Sequence, residues 1–537
     1  MLGLAFRQQR WSLVAFSLGT AMVGFVNSLA FVKTAGPAAA EQAQFGREMA
    51  AIASQFTILT PLPLQVGTMA GYVQWRYFGA QVPILLAIWA VSAGTGLRGD
   101  EEKGLVENWL AGGVSKLALL GWRALAFGLG LVAMVVLVAG LSWAGAQPQG
   151  GLGWAGLLAD GLAAAALVLS LYGIGALASQ LAPTRRSAAG LAGGATVILF
   201  LLNGLGRSDA GFARYRGLSP FYWYERTDAL LVGGRLDLGA TSLLGGVALV
   251  LLLLSWLGFR RRDLGSSWFR LPVPAGRPEY RPRDSAGLEL PVLAGLYPQR
   301  LALAVWALGL AALAYLMVVE AKPLADAITG IPGLAPYLTR LRATLFVAFV
   351  DIVGFGIATP MLAVFTITQV SRWAGDDGEG RLELVLAEGV RRERVVIERV
   401  LGLALAAGLL SALTGAVVFF ESRALGFELD AGRVALASAL MVPLALSFGV
   451  AGSVIAAWRP RIAVPALTFL VVAGYFITQL GPIFRWPAWA DDLSPFYLYG
   501  NPLSNGIYWT GFFAMAAITG VGLVLSLLAM RRREVGR

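Results

Sequence analysis

Residues 99–113 read GDEEKGLVENWLAGG, and residues 375–389 read GDDGEGRLELVLAEG. Laid over one another without a gap, they pair Gly99, Asp100 and Glu101 with Gly375, Asp376 and Asp377, at a constant offset of 276 residues (375 − 99). The same offset pairs Gly104 with Gly380, Glu107 with Glu383, Leu110 with Leu386, Gly113 with Gly389, Val114 with Val390 and Arg123 with Arg399. A second match, LSPFYWY at 218–224 and LSPFYLY at 493–499, is offset by 275 residues (493 − 218). Two unlike stretches that agree to within one residue point to an internal duplication. Apolar helices align with one another easily, but neither stretch is apolar filler.

Working outward from the first loop, apolar runs occupy 11–32, 78–97, 117–143, 154–181, 187–205 and 238–259. Around the second they occupy 301–319, 345–370, 395–420, 434–458, 462–480 and 506–530. A spanning helix needs about 20 apolar residues, so each half holds six. Arg260, Arg261 and Arg262, then Pro272, Pro274, Pro278 and Pro282 among charges as far as Asp284, separate them. The expected organisation is a first six-helix half over 1–262, a cytoplasmic Pro/Arg-rich connection over 263–297 and a second half over 298–537. The fold class is all-α integral membrane protein. Because each half has an even number of spans, the halves insert the same way, as parallel repeats.

Composition agrees, and it excludes much else. Of 537 residues, 57% are hydrophobic and 14% charged, which leaves no room for a sizeable water-soluble domain. With no cysteine and no histidine, disulfides, thiolate chemistry, His-based acid–base catalysis and nearly every zinc or haem site are ruled out. The net charge of +11 reads as topology rather than as a nucleic-acid surface, since the basic residues end apolar runs. Arg7, Arg10, Arg98, Lys103, Lys116, Arg185, Arg186, Arg260 to Arg262, Arg391, Arg392, Arg394, Arg459, Arg461 and Arg531 to Arg533 all fall on one side. That side is the cytoplasm by the positive-inside rule, so both termini are expected inside. Arg207, Arg214, Arg216 and Arg226 break the bias from one outer loop. The first run is too long for a signal h-region, although Ala38 to Ala40 imitates a cleavage site, and is read as an uncleaved span.

In the repeated loop, acids suit a helix N-terminus, Leu105, Trp109 and Leu110 share a face, and a glycine closes the segment. The expectation is a short helix on the cytoplasmic surface, against the simpler reading of a solvated reversal loop. An acidic cluster, then Gly-x-x-Glu-x-x-Leu-Ala and a glycine, after the second of six spans, resembles the coupling-helix segment of ABC-2 type exporter permeases. The doubled layout resembles in particular the fused permeases of the bacterial polyketide-antibiotic and multidrug exporter group. The likeness covers the whole chain in layout, but only the two loops and the LSPFYxY segments carry specific residues.

The resemblance implies a permease that moves a hydrophobic or amphipathic, antibiotic-like compound out through the bacterial inner membrane. It implies two copies of a separate cytoplasmic ATPase that hold the ATP and Mg, and no cofactor or catalysis on this chain. No G-x-x-x-x-G-K-[ST] occurs, as that division of labour requires. The coupling residues it points to are Asp100, Glu101, Glu102, Gly104, Glu107 and Gly113, with Asp376, Asp377, Gly380, Glu383 and Gly389. Gly378 stands where Glu102 would recur, so the two docking sites are expected to be unequal. Arg123 and Arg399 read either as interface anchors, as snorkelling side chains or as ATPase contacts.

Pro220, Phe221 and Tyr222, with Pro495, Phe496 and Tyr497, read either as an aromatic-belt anchor with a proline-set turn or as an outer lid. Arg76 aligns with Ile352, next to Asp351, which makes Arg76 and Asp351 a candidate outer gate pair. The alternative is an arginine that snorkels and an aspartate bonded within its own half. An ion-coupled carrier is a competing class, with Arg76, Asp160, Asp351 and Glu421 as its few intramembrane charges. An ABC transporter of a lipid is another.

Overall fold

With no water in the bilayer core, backbone polar groups must pair within the segment, so apolar runs of this length become helices. In the computed structural model they do. The structure describes residues 2–53, 57–58, 60–268, 295–327, 344–378 and 380–532, and no strand occurs among them. Among the described residues, twelve helices are long and apolar enough to cross a membrane. Spans 1 to 6 are Ser12–Ala35, Met69–Glu102, Lys116–Gln149, Trp154–Leu181, Arg185–Ser208 and Leu238–Arg261. Spans 7 to 12 are Arg300–Lys322, Thr344–Asp376, Arg392–Ala424, Ala431–Trp458, Ile462–Gly481 and Trp509–Arg532. The protein is an all-α integral membrane protein. It divides into two units, Met1–Arg277 and Pro278–Arg537. Pro272, Pro274, Pro278 and Pro282 of the expected connection lie outside the described residues.

In each unit the fourth span is the centre. Span 4 packs against spans 2, 3, 5 and 6, and span 10 against spans 8, 9, 11 and 12. Small residues make this possible, because in lipid close packing drives helix association. A Cβ on Gly94 of span 2 would stand 2.5 Å from the Tyr172 carbonyl oxygen and 2.9 Å from the Gly175 Cα of span 4. Both backbones meet there, and alanine at Gly94 would force them apart.

Two features depart from the expected runs. Span 2 begins at Met69 rather than Phe78, and its first part, Val73–Gln81, is a π-helix; span 8 carries one at Val350–Phe355. Gln74, Arg76 and Gln81 dilute the apolar signal there. Three of the four arginines that break the charge bias are ion-paired: Arg207 and Arg216 with Glu225, and Arg226 with Asp237. The Arg214 guanidinium lies over the Tyr215 ring, 4.7 Å from its centre.

Candidate functional site

Each repeated loop folds as helix, turn, short helix, turn. Gly104 (φ 68°) and Gly380 (φ 71°) take the left-handed conformation open to glycine and start the helices Leu105–Ala111 and Arg381–Ala387. Gly113 (φ 84°) and Gly389 (φ 81°) end the segments in the same way. The short helices are there, and Trp109 and Leu110 of the expected face do pack inward, but the most deeply buried residue is one that face did not include. Val106 is fully buried, with Trp109 and Leu110 packed beside it against Leu97, Leu119, Leu120 and Phe259, while Leu105 is only partly covered. In the second unit Leu382, 276 residues after Val106, is buried with Val395, Val396 and Met530, and Leu386 and Val390 pack on them.

The acids divide between two positions. Glu107 and Glu383 lie in the first turns of the short helices, as expected, whereas Asp100, Glu101 and Glu102 close the helical turn Gly96–Glu102 at the end of span 2. They are held there by cations and N–H groups. Glu101 is buried, bonded by Arg98 (3.0 Å) and Arg262 (2.5 Å) and by the Gly265 N–H (2.7 Å). Arg98 also donates to the Pro183 and Ser266 carbonyls, and Lys116 Nζ to those of Phe259 and Arg262. Glu102 accepts the Arg185 N–H that opens span 5 (2.6 Å). The loop is thus tied to spans 3, 5 and 6 at once.

Arg123 is neither a snorkelling side chain nor free to meet a partner, since it is buried and paired with Asp100 and Gln8. In the second unit Arg399 stands 3.6 Å from Asp376, which also lies 3.8 Å from Arg381. Ala374 replaces Arg98 and Gly378 replaces Glu102, so the second loop lacks two of these ties. Glu379 and the Asp377 side chain lie outside the described residues. Glu107 and Glu383 are exposed on the outward faces of the two short helices.

The chain matches the family described as multidrug efflux system permease Rv1217c, C-terminal domain, over residues 1–260 and 290–531. It belongs to that family. The permease is therefore a multi-pass membrane transporter subunit of the drug-efflux kind. Curated proteins give no match.

The LSPFYxY segments of the permease are not turns. Pro220 and Pro495 begin short helices, Pro220–Tyr224 and Pro495–Tyr499, where a missing N–H costs nothing. Ser219 accepts the Phe221 N–H and donates to the Leu199 carbonyl of span 5. Ser494 repeats both bonds with Phe496 and Gly474 of span 11. Phe221 and Phe496 are buried in their own units, and Tyr222 and Tyr497 are partly covered.

The last tyrosine of each motif was not singled out in the sequence, yet it is the more deeply engaged. Tyr224 donates to the Phe78 carbonyl (2.8 Å) and Tyr499 to the Ala437 carbonyl (2.9 Å). Burial raises both phenols well above the ordinary tyrosine value, so they remain donors. The Phe78 bond has a local cause. The Val82 N–H turns to the Tyr77 carbonyl in the π-helical register, and Pro83 has no N–H to offer Phe78.

Arg76 and Asp351 belong to different units. The Arg76 guanidinium lies 5.7 Å from the centre of the Tyr72 ring. Asp351 is buried and accepts the Leu503 (3.3 Å) and Ser504 (2.7 Å) N–H groups at the start of the helix Pro502–Asn505.

Proposed function

We propose that this chain is the transmembrane subunit of an ATP-binding-cassette exporter, two six-helix repeats fused in one polypeptide. A separate cytoplasmic ATPase dimer docks on the loops after spans 2 and 8. The observation that carries this is the repeated short helix, framed by glycines of positive φ and anchored by an Asp–Arg pair, with a glutamate at one equivalent exposed position, Glu107 and Glu383. A solvated reversal loop has no need of that reuse.

The mechanism is mechanical. ATP-driven closure of the ATPase displaces the short helices, and the ion-paired ends of spans 2 and 3 pass the motion into each unit. The arginine-rich ends face the cytoplasm, and the cargo is a hydrophobic or amphipathic compound. The first loop, tied to spans 3, 5 and 6, is the stiffer lever.

Native mass measurement of the co-purified complex tests this reading. One copy of this chain with two ATPase subunits is expected, and two copies of this chain in the active particle would contradict it. An ion-coupled carrier draws its support from Asp160 and Glu320, which are buried in spans 4 and 7 and each keep one carboxylate oxygen without a hydrogen-bond partner among the described residues. Uptake driven by a proton gradient in vesicles without ATP would favour it.

A further inference from the structure

The first unit contains a groove of about 510 Å³ between spans 2 and 5, running from Thr95 and Arg185 at the arginine-rich end towards Phe200 and Phe221. Its volume falls within the roughly 300–1,000 Å³ of small-molecule sites. The walls are apolar. Ile88 of span 2 and Val197 of span 5 are more than half exposed along it. The Thr95 and Thr196 hydroxyls are turned back onto the Val91 and Ala192 carbonyls of their own helices. A Cβ on Gly193, which lines the groove, would meet nothing within 4 Å.

Arg185 is the one charged residue lining this groove. Its side chain lies across Gly99, where a Cβ would stand 2.6 Å from the Arg185 Cδ. Its backbone N–H is taken by Glu102, but its guanidinium has no hydrogen bond or ion pair among the described residues. Arg98 and Arg123 at this end of the unit are already engaged, Arg98 by Glu101 and carbonyls and Arg123 by Asp100, and Arg186 does not line the groove. A guanidinium without a partner at the mouth of an apolar groove complements one kind of molecule, an apolar body that ends in an oxyanion.

We propose that this groove is a loading subsite for a single-bodied anionic amphiphile whose carboxylate, sulfonate or phosphate pairs with Arg185. The proposal deepens the exporter reading by naming its cargo class, and it rests on that reading only for the direction of travel. A cation would meet Arg185 unfavourably at the same mouth.

Fluorescence titration of the purified full-length chain in zwitterionic nanodiscs tests it, with dansyl-undecanoic acid as probe and its methyl ester as the neutral comparison. The acid should bind about tenfold more tightly than the ester, about 1.4 kcal/mol. Arg185→Gln should abolish that preference, Arg185→Lys should keep part of it, and Gly193→Leu should weaken both probes by filling the groove. Unchanged acid binding in Arg185→Gln, or unchanged binding of both probes in Gly193→Leu, would overturn the assignment. Native mass spectrometry showing phosphatidylglycerol held by the unaltered chain and lost in Arg185→Gln would overturn it too, by showing a membrane lipid as the occupant. ATP-dependent accumulation of the acid in inverted vesicles carrying the ATPase is read separately. Its absence with binding intact defeats the exporter reading and leaves the subsite standing.

Discussion

Arg123 of span 3 is ion-paired with Asp100 at the end of span 2, and Arg399 stands 3.6 Å from Asp376 at the same two positions of the second unit. The first pair is the more enclosed, with side chains 7% and 17% exposed against 18% and 30% in the second. Removing one partner of a buried pair strands the other charge and costs up to about 3–5 kcal/mol, whereas a pair open to water contributes about 1 kcal/mol or less. Asp100→Ala should therefore lower the denaturation midpoint of the purified chain clearly more than Asp376→Ala. Equal losses would contradict the asymmetry between the loops.

Glu101 and Glu107 sit on the same loop but should fail in different ways. Glu101→Gln leaves Arg98 and Arg262 buried without a carboxylate and should destabilise the permease by several kcal/mol, about 3–5 by the same reasoning. Glu107→Gln removes an exposed charge and should leave the midpoint within about 0.5 kcal/mol. Thermal unfolding of the two variants in one detergent checks both expectations.

Tyr224→Phe tests the account of the π-helix in span 2. Without the hydroxyl the Phe78 carbonyl has no donor, because Pro83 cannot supply one, and an unmet buried acceptor costs about 1–3 kcal/mol. A lower midpoint is expected in Tyr224→Phe. Tyr222→Phe, at a partly covered neighbour, should change it little.

Particular residues show how far the sequence could be read. The spans were legible because lipid demands long unbroken apolar helices, and the short helices because Gly104 and Gly380 interrupt them at the same place. The offset of 276 residues also placed Asp100 opposite Asp376 and Arg123 opposite Arg399, although not as partners. The Arg98–Glu101–Arg262 cluster was not legible, since Arg262 reaches Glu101 from 161 residues away and reads locally as one more interfacial arginine. The start of span 2 was missed because hydropathy falls over its polar π-helical turn. Pro220 and Pro495 read equally well as turn residues or as the first residue of a helix, and the sequence does not separate the two.

Asp351 holds the first N–H groups of Pro502–Asn505 within its own unit. Asp351→Ala should loosen that turn and cost about 1–3 kcal/mol. A role with Arg76 in closing the outer side makes a further demand on transport. The exchange Arg76→Asp with Asp351→Arg should regain activity lost in each single variant. A double variant no better than either single one would leave Asp351 with its local role alone.

The central claim is that a separate ATPase drives this permease through two equivalent positions, and the direct measurement is drug-stimulated ATP hydrolysis by the reconstituted complex. Glu107→Arg together with Glu383→Arg should abolish the stimulation while the chain keeps its denaturation midpoint, since both side chains are exposed. Each single variant should lose part of it. A double variant that assembles with the ATPase and is stimulated like the unaltered complex would contradict the account.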